Sequence, residues 1–206
     1  MKNSIRIATA FSLVTLAGCS NAVHDPAYEA AAEPSRRYVV TARVQDAPGP
    51  FAVANASARY RIRPSGCMPD AEPISGTFPT PNEHILESKV ATTSPNAFSA
   101  EVALDGMKNK DYFGKGICTW ELVGFSFGFR ATGQPGETRY SAGISEEEIA
   151  SGSESTLYLR KKFYPKGPLD DMPESGTKDP AVLRQLPSND FFSIHLSAKE
   201  LGHANQ

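Results

Sequence analysis

The segment Gly124-Phe125-Ser126-Phe127-Gly128 satisfies the Gly-x-Ser-x-Gly pattern of a hydrolase nucleophile, so the chemistry it would imply is an esterase acting through Ser126. That chemistry needs a strand, a sharp turn and then a helix, which together lift the hydroxyl above an α/β sheet. Here the strand-like alternation continues to Arg130 and then enters the loop Thr132-Gly133-Gln134-Pro135-Gly136. Of the downstream histidines, His203 lies close to the end of the chain and His195 falls on the polar parity of the stretch from Phe191 to Ser197. Ser126 is therefore expected to be a strand residue without a catalytic role, and the chain is read as a binding protein, not an enzyme.

Metal chemistry finds no better support. His24, His84, His195 and His203 share no His-x-x-x-His spacing, and neither Cys67 nor Cys118 has a second cysteine or a histidine at ligand distance. Asp105, Asn109 and Asp111 gather oxygen ligands in one turn, but their spacing is not that of a calcium loop and Lys108 and Lys110 oppose a cation. A polar hairpin turn is expected there, with no metal and no cofactor. The densest acidic run is Glu146, Glu147 and Glu148, followed by Glu154, and Asp170-Asp171 form a second. Carboxylates in a first helical turn are favoured by the helix dipole and can be a solvated cap. The sharper reading is that they meet a basic site on a partner protein, where complementary charge speeds association. The irregular stretch Tyr164 to Pro187 is a second candidate binding element.

The N-terminal residues address a different question, that of location. A basic start at Lys2 and Arg6, an apolar stretch from Ile7 to Leu16 and the small residues Ala17 and Gly18 make a signal peptide, too short to span a bilayer. Leu16-Ala17-Gly18-Cys19 resembles the lipobox of bacterial lipoproteins, which implies cleavage before Cys19, acylation of that cysteine and attachment to a membrane. By the same resemblance, Ser20 in place of Asp points to the outer membrane, facing the periplasm. Three cysteines less the acylated one leave Cys67 and Cys118, which are expected to pair in an oxidising compartment. Lys2 and Arg6 leave with the leader, so the remainder carries 19 of the 21 basic residues against 23 acidic ones, a net charge of −4. A mildly acidic domain has no electrostatic footprint for nucleic acid or for anionic lipid.

What positions these residues is a set of strands. Ala58, Tyr60 and Ile62 alternate with Arg59, Arg61 and Arg63, and Phe98, Ala100, Val102 and Leu104 alternate with Ser99, Glu101 and Ala103. Further strands are expected over Tyr38 to Val44, Ile85 to Val90, Ile117 to Arg130, Ser155 to Phe163 and Phe191 to Ser197. Within Ile117 to Arg130 the apolar parity switches, from Cys118, Trp120 and Leu122 to Phe125, Phe127 and Phe129. A bulge near Val123-Gly124 would keep both sets in the core; alternatively the phenylalanines cover a second surface. Ser145 with Glu148 forms a capping box that predicts a short helical turn, and Pro180 to Leu186 suits another.

Seven to eight strands with little helical periodicity predict an all-β fold, an antiparallel β-sandwich with one or two short helical turns. Residues 1–18 read as the lipoprotein signal peptide, 19–36 as a lipidated flexible tether and 37–206 as a single sandwich domain. Topology stays open between transthyretin-like and immunoglobulin-like forms, since Trp120 lies beyond Cys118 and not between the cysteines.

With its lipobox, the strand Tyr60-Arg61-Ile62-Arg63-Pro64 leading to Cys67, and Tyr112-Phe113-Gly114-Lys115-Gly116-Ile117-Cys118-Thr119-Trp120-Glu121-Leu122, the chain resembles small periplasmic lipoproteins that accompany phospholipase toxins of type VI secretion. The resemblance implies an immunity protein, whose partner is a secreted toxin enzyme and which blocks that enzyme's active site. A structural or assembly lipoprotein of the envelope is the alternative, and a Ser126 esterase a remote third.

Overall fold

The computed structural model describes residues 26–202, except 72, 77, 169–172 and 186. Cys19, Asp170 and Asp171 lie outside the described residues. In chain order the strands are β1 (Arg37–Gln45), β2 (Val53–Ile62), β3 (Glu83–Ser88), β4 (Val90–Ser94), β5 (Ala97–Ala103), β6 (Trp120–Arg130), β7 (Arg139–Ser145), β8 (Ser155–Arg160), β9 (Pro173–Ser175) and β10 (Phe191–Glu200). Two short helices, α1 (Glu146–Ser151) and α2 (Pro180–Leu183), interrupt them.

The strands form two five-stranded sheets, one ordered β4-β5-β1-β10-β8 and the other β3-β2-β6-β7-β9, so the expected all-β sandwich is what the chain folds into. Their inner faces supply the core by strict alternation, as in β1, where Tyr38, Val40, Ala42 and Val44 are buried. Phe125, Phe127 and Phe129 from β6 meet Phe98, Tyr140 and Phe192 there, with Phe98–Phe129 and Tyr140–Phe192 centroids both 5.2 Å apart. The parity switch in β6 is a bulge: Arg59 pairs with Gly124 and Tyr60 with Leu122, leaving Val123 extra. That extra residue returns Trp120 and Leu122 to the same side as the phenylalanines, and all five are buried.

Among the described residues ten strands form where seven to eight were expected, and the additions have separate physical origins. Ile85 to Val90 divides at Lys89, because the chain leaves the edge of one sheet there and joins the edge of the other. Strand β7 hides in the sequence because Ser141, Ala142 and Gly143 carry little hydrophobic signal, although Tyr140, Ala142 and Ile144 are all buried. Strand β9 lies inside the stretch read as irregular and runs parallel to β7, so the sandwich is not antiparallel throughout. Just after it, Thr177 exchanges backbone hydrogen bonds of 2.9 and 3.0 Å with Tyr158 of β8, stitching the two sheets together along that side.

Within the stretch 19–36, read from sequence as a flexible tether, the described residues from 26 onward make contacts with the sandwich. Tyr28 packs edge-on against Trp120 (4.8 Å between centroids), Tyr112 and His84, and its hydroxyl donates to the carbonyl of Pro81 at 2.6 Å. Glu29 bonds Lys108 and Lys110, Ala30 bridges Met107, and Asp105 accepts from the backbone N–H groups of Ser35 and Arg36. Low hydrophobicity misled here, since one aromatic ring and a few polar contacts suffice to order a segment lying on a preformed surface.

Candidate partner-binding surface

The outward face of the second sheet brings together residues that are scattered in sequence. Register pairs Ser57 with Ser126 and Ser126 with Gly143, while Arg59 pairs with Gly124 and Gly124 with Ser145. Small side chains thus line up across β2, β6 and β7, forming the floor of a shallow trough of about 470 Å³. A Cβ on Gly124 would lie 2.9 Å from the Ile144 carbonyl oxygen, and one on Gly143 would lie 3.0 Å from Ser126 Oγ. These glycines hold the floor at backbone level. Toward the far end of β6 the surface continues into a second hollow of about 540 Å³, between Arg130 and Arg139 with Gly128 in its floor.

The trough has unlike walls. On one side Ile85 of β3 stands 55% exposed beside Arg59, its partner in register. Arg61 Nε donates to Glu83 Oε1 at 2.8 Å and Arg59 Nη1 lies 3.9 Å from Glu83, so two guanidiniums share one carboxylate. On the other side Ser145 leads directly into α1. Its hydroxyl accepts from the Glu148 N–H at 3.2 Å, and Glu148 Oε2 accepts from the Ser145 N–H at 2.9 Å, which is the expected capping box. Gly152 closes the helix at φ 68° and the buried Ile149 anchors it to the core. Partial burial works to raise the pKa of Glu148, but the Lys178 ammonium and the Ser145 donors outweigh it and hold the carboxyl below its ordinary 4.5.

Glu148 is therefore committed to structure. Glu146, Glu147 and Glu154 make no ion pair with a described residue; Glu147 is exposed on α1 and Glu154 is exposed in the link between α1 and β8. The trough is lined on one side by Arg59 and Ile85 and on the other by Ile144 and Ser145, beyond which the chain enters α1.

Other residues singled out by sequence have structural employment. Ser126 sits in mid-strand on the trough floor and not on an elbow. His195 belongs to the other sheet, where Nδ1 meets Thr156 Oγ1 at 3.0 Å and Nε2 meets Ser193 Oγ at 3.1 Å. A hydroxyl in the third place orients the ring but carries no charge to stabilise an imidazolium. Asp111 accepts from the N–H groups of Phe113, Gly114, Lys115 and Gly116, and Asn109 Oδ1 accepts from the Trp120 N–H at 3.1 Å, so these oxygens close a loop. Among the described residues no group of three or more His, Cys, Asp or Glu could hold a metal ion. Cys67 and Cys118 form a disulfide with their Cα atoms 5.3 Å apart.

Sequence reasoning passed over Arg59, Arg61 and Ile85 as ordinary strand residues. The available signal was an isoleucine on the same parity as Glu83 and Glu87, where a half-buried strand should show solvent a polar side chain. Comparison of the chain with protein-family models, curated proteins and solved structures finds no match.

Proposed function

We propose that this chain is a lipid-anchored protein of the bacterial envelope that binds a secreted antibacterial toxin and blocks its active site, using the trough as its docking surface. The observation that carries the reading is the exposed Ile85 beside Arg59 on one wall of a trough whose floor lies at backbone level. Such a surface can recognise a partner of complementary charge while the backbone admits a closely fitting side chain. Both walls sit on hydrogen-bonded elements, so little ordering entropy is lost on binding. Attachment through Cys19 would concentrate the inhibitor at the surface that the toxin attacks.

The test is a pull-down with the mature chain, disulfide intact, from the producing strain and its competitors. The expected result is one stoichiometric secreted enzyme that loses activity on binding. Arg59→Glu and Ile85→Ala should then each weaken binding by about tenfold or more, as central anchors of an interface do. Capture of envelope proteins alone, or of nothing, sinks the proposal and leaves an assembly lipoprotein in front. Labelling of the chain by a serine-reactive probe, lost in Ser126→Ala, would favour the esterase instead.

A further inference from the structure

The loops that follow β2 and β5 meet at one end of the sandwich, where Cys67–Cys118 joins them covalently and Lys115 Nζ lies 3.4 Å from Asp70. Each presents an isoleucine to solvent, Ile74 fully and Ile117 at 69%. An isoleucine held that far out contributes little to the fold, and the disulfide ties together the two loops that carry this pair.

The same end receives the N-terminal segment. Tyr28 is fixed against Trp120, Tyr112 and His84, and Glu29 against Lys108 and Lys110, so the chain enters the fold beside these loops. Between Cys19 and Pro26 stand only residues 20–25. Fully extended, that length reaches at most about 25 Å. A lipid on Cys19 therefore holds this end toward the bilayer.

We infer that the disulfide-joined loop end lies against the membrane surface, with Ile74 and Ile117 inserted at the bilayer interface. This rests on the lipid anchor in the proposed function and adds an orientation to it. The contact is apolar and not electrostatic, because Lys108 and Lys110 are both engaged by Glu29 and Lys115 by Asp70. In this pose the strands stand away from the membrane and the trough faces sideways, open to a partner. The anchored lipid and the two side chains act together: a single weak insertion is reversible, whereas a second contact on the same body adds at high local concentration.

The experiment uses the full lipidated chain bound to phosphatidylcholine vesicles whose acyl chains carry bromine, a quencher of tryptophan. The native chain holds only the buried Trp120, and Ile74→Trp and Ile117→Trp each add an exposed reporter. Both added tryptophans should shift to the blue and lose most of their emission, with Trp120 unaffected and added salt without effect. Sedimentation with the vesicles is measured in parallel, against Cys19→Ala. If the chain sediments but neither reporter is quenched, the anchor stands and the orientation is overturned, leaving the two isoleucines to a protein partner. If the native chain does not sediment, the anchor fails and the inference with it. Quenching abolished by salt would also overturn it, since the contact would then be electrostatic. Near-ultraviolet circular dichroism matching the native chain confirms that each variant folds.

Discussion

Replacing Cys67 and Cys118 together by alanine removes a cross-link that closes a sequence separation of 51 residues. In the chain-entropy treatment, releasing a loop of that size gives the unfolded chain back roughly 4 kcal/mol of conformational freedom. Both cysteines are buried, so alanine is the right replacement: serine would add an unsatisfied hydroxyl to the cost. Against the roughly 5–15 kcal/mol that holds a typical domain together, the loss is large and should lower the melting temperature by about 8–16 °C. Urea unfolding of the protein, compared through free energies extrapolated to water, reads it directly. The denatured variant is also less compact, so its denaturant slope should rise. Reductant should bring the native chain to the stability of the double variant and leave the variant unchanged. A loss below about 1 kcal/mol would refute the reasoning, because it would mean that the loops hold one another without the bond.

Removing the capping box with Glu148→Ala frees the Ser145 donors and Lys178, and should cost about 1 kcal/mol in urea unfolding while leaving the core intact. Gly124→Ala places its Cβ 2.9 Å from the backbone oxygen of Ile144, so it should cost about 1–3 kcal/mol through distortion of the β6–β7 pairing. In acid, carboxyls held below their ordinary values lose their contribution: Glu29, pulled to about 2 by Lys108 and Lys110, together with Asp105, Asp111, Glu137 and Glu148. Stability should be full above the ordinary carboxyl values of 3.8 and 4.5 and fall as pH drops through the lower folded values, which a series of urea melts would follow. Glu174 runs the other way, since burial raises its pKa above 4.5 and the folded state resists its ionisation. Glu174→Gln should therefore stabilise the domain at neutral pH, with the gain vanishing below pH 4.5.

Wherever the physics is local, the sequence was legible. Period-two alternation marked β1, β2, β5 and β10, and reciprocal Ser145–Glu148 chemistry marked the start of α1. The parity switch between Leu122 and Phe125 left a bulge or a second covered surface, and the register shows the bulge, whose extra residue returns both sets to one side of the sheet. Cysteine arithmetic led to the Cys67–Cys118 pair.

What depended on the partners of a segment was not legible. Tyr28 is a lone aromatic in a polar stretch until the folded domain offers Trp120 and Tyr112 beside it. Lys89 turns one expected strand into two because the edges of two sheets meet there, a fact of topology that no periodicity carries. The trough exists only through register: Ser57, Ser126 and Gly143 are far apart in the chain, and cross-strand hydrogen bonds set them in one row. The sequence alone determined which faces of the strands are apolar, because burial follows side-chain chemistry and a fixed period. Only the tertiary structure decided which outward residues share a surface, because pairing between distant strands is settled by the packing of the whole core.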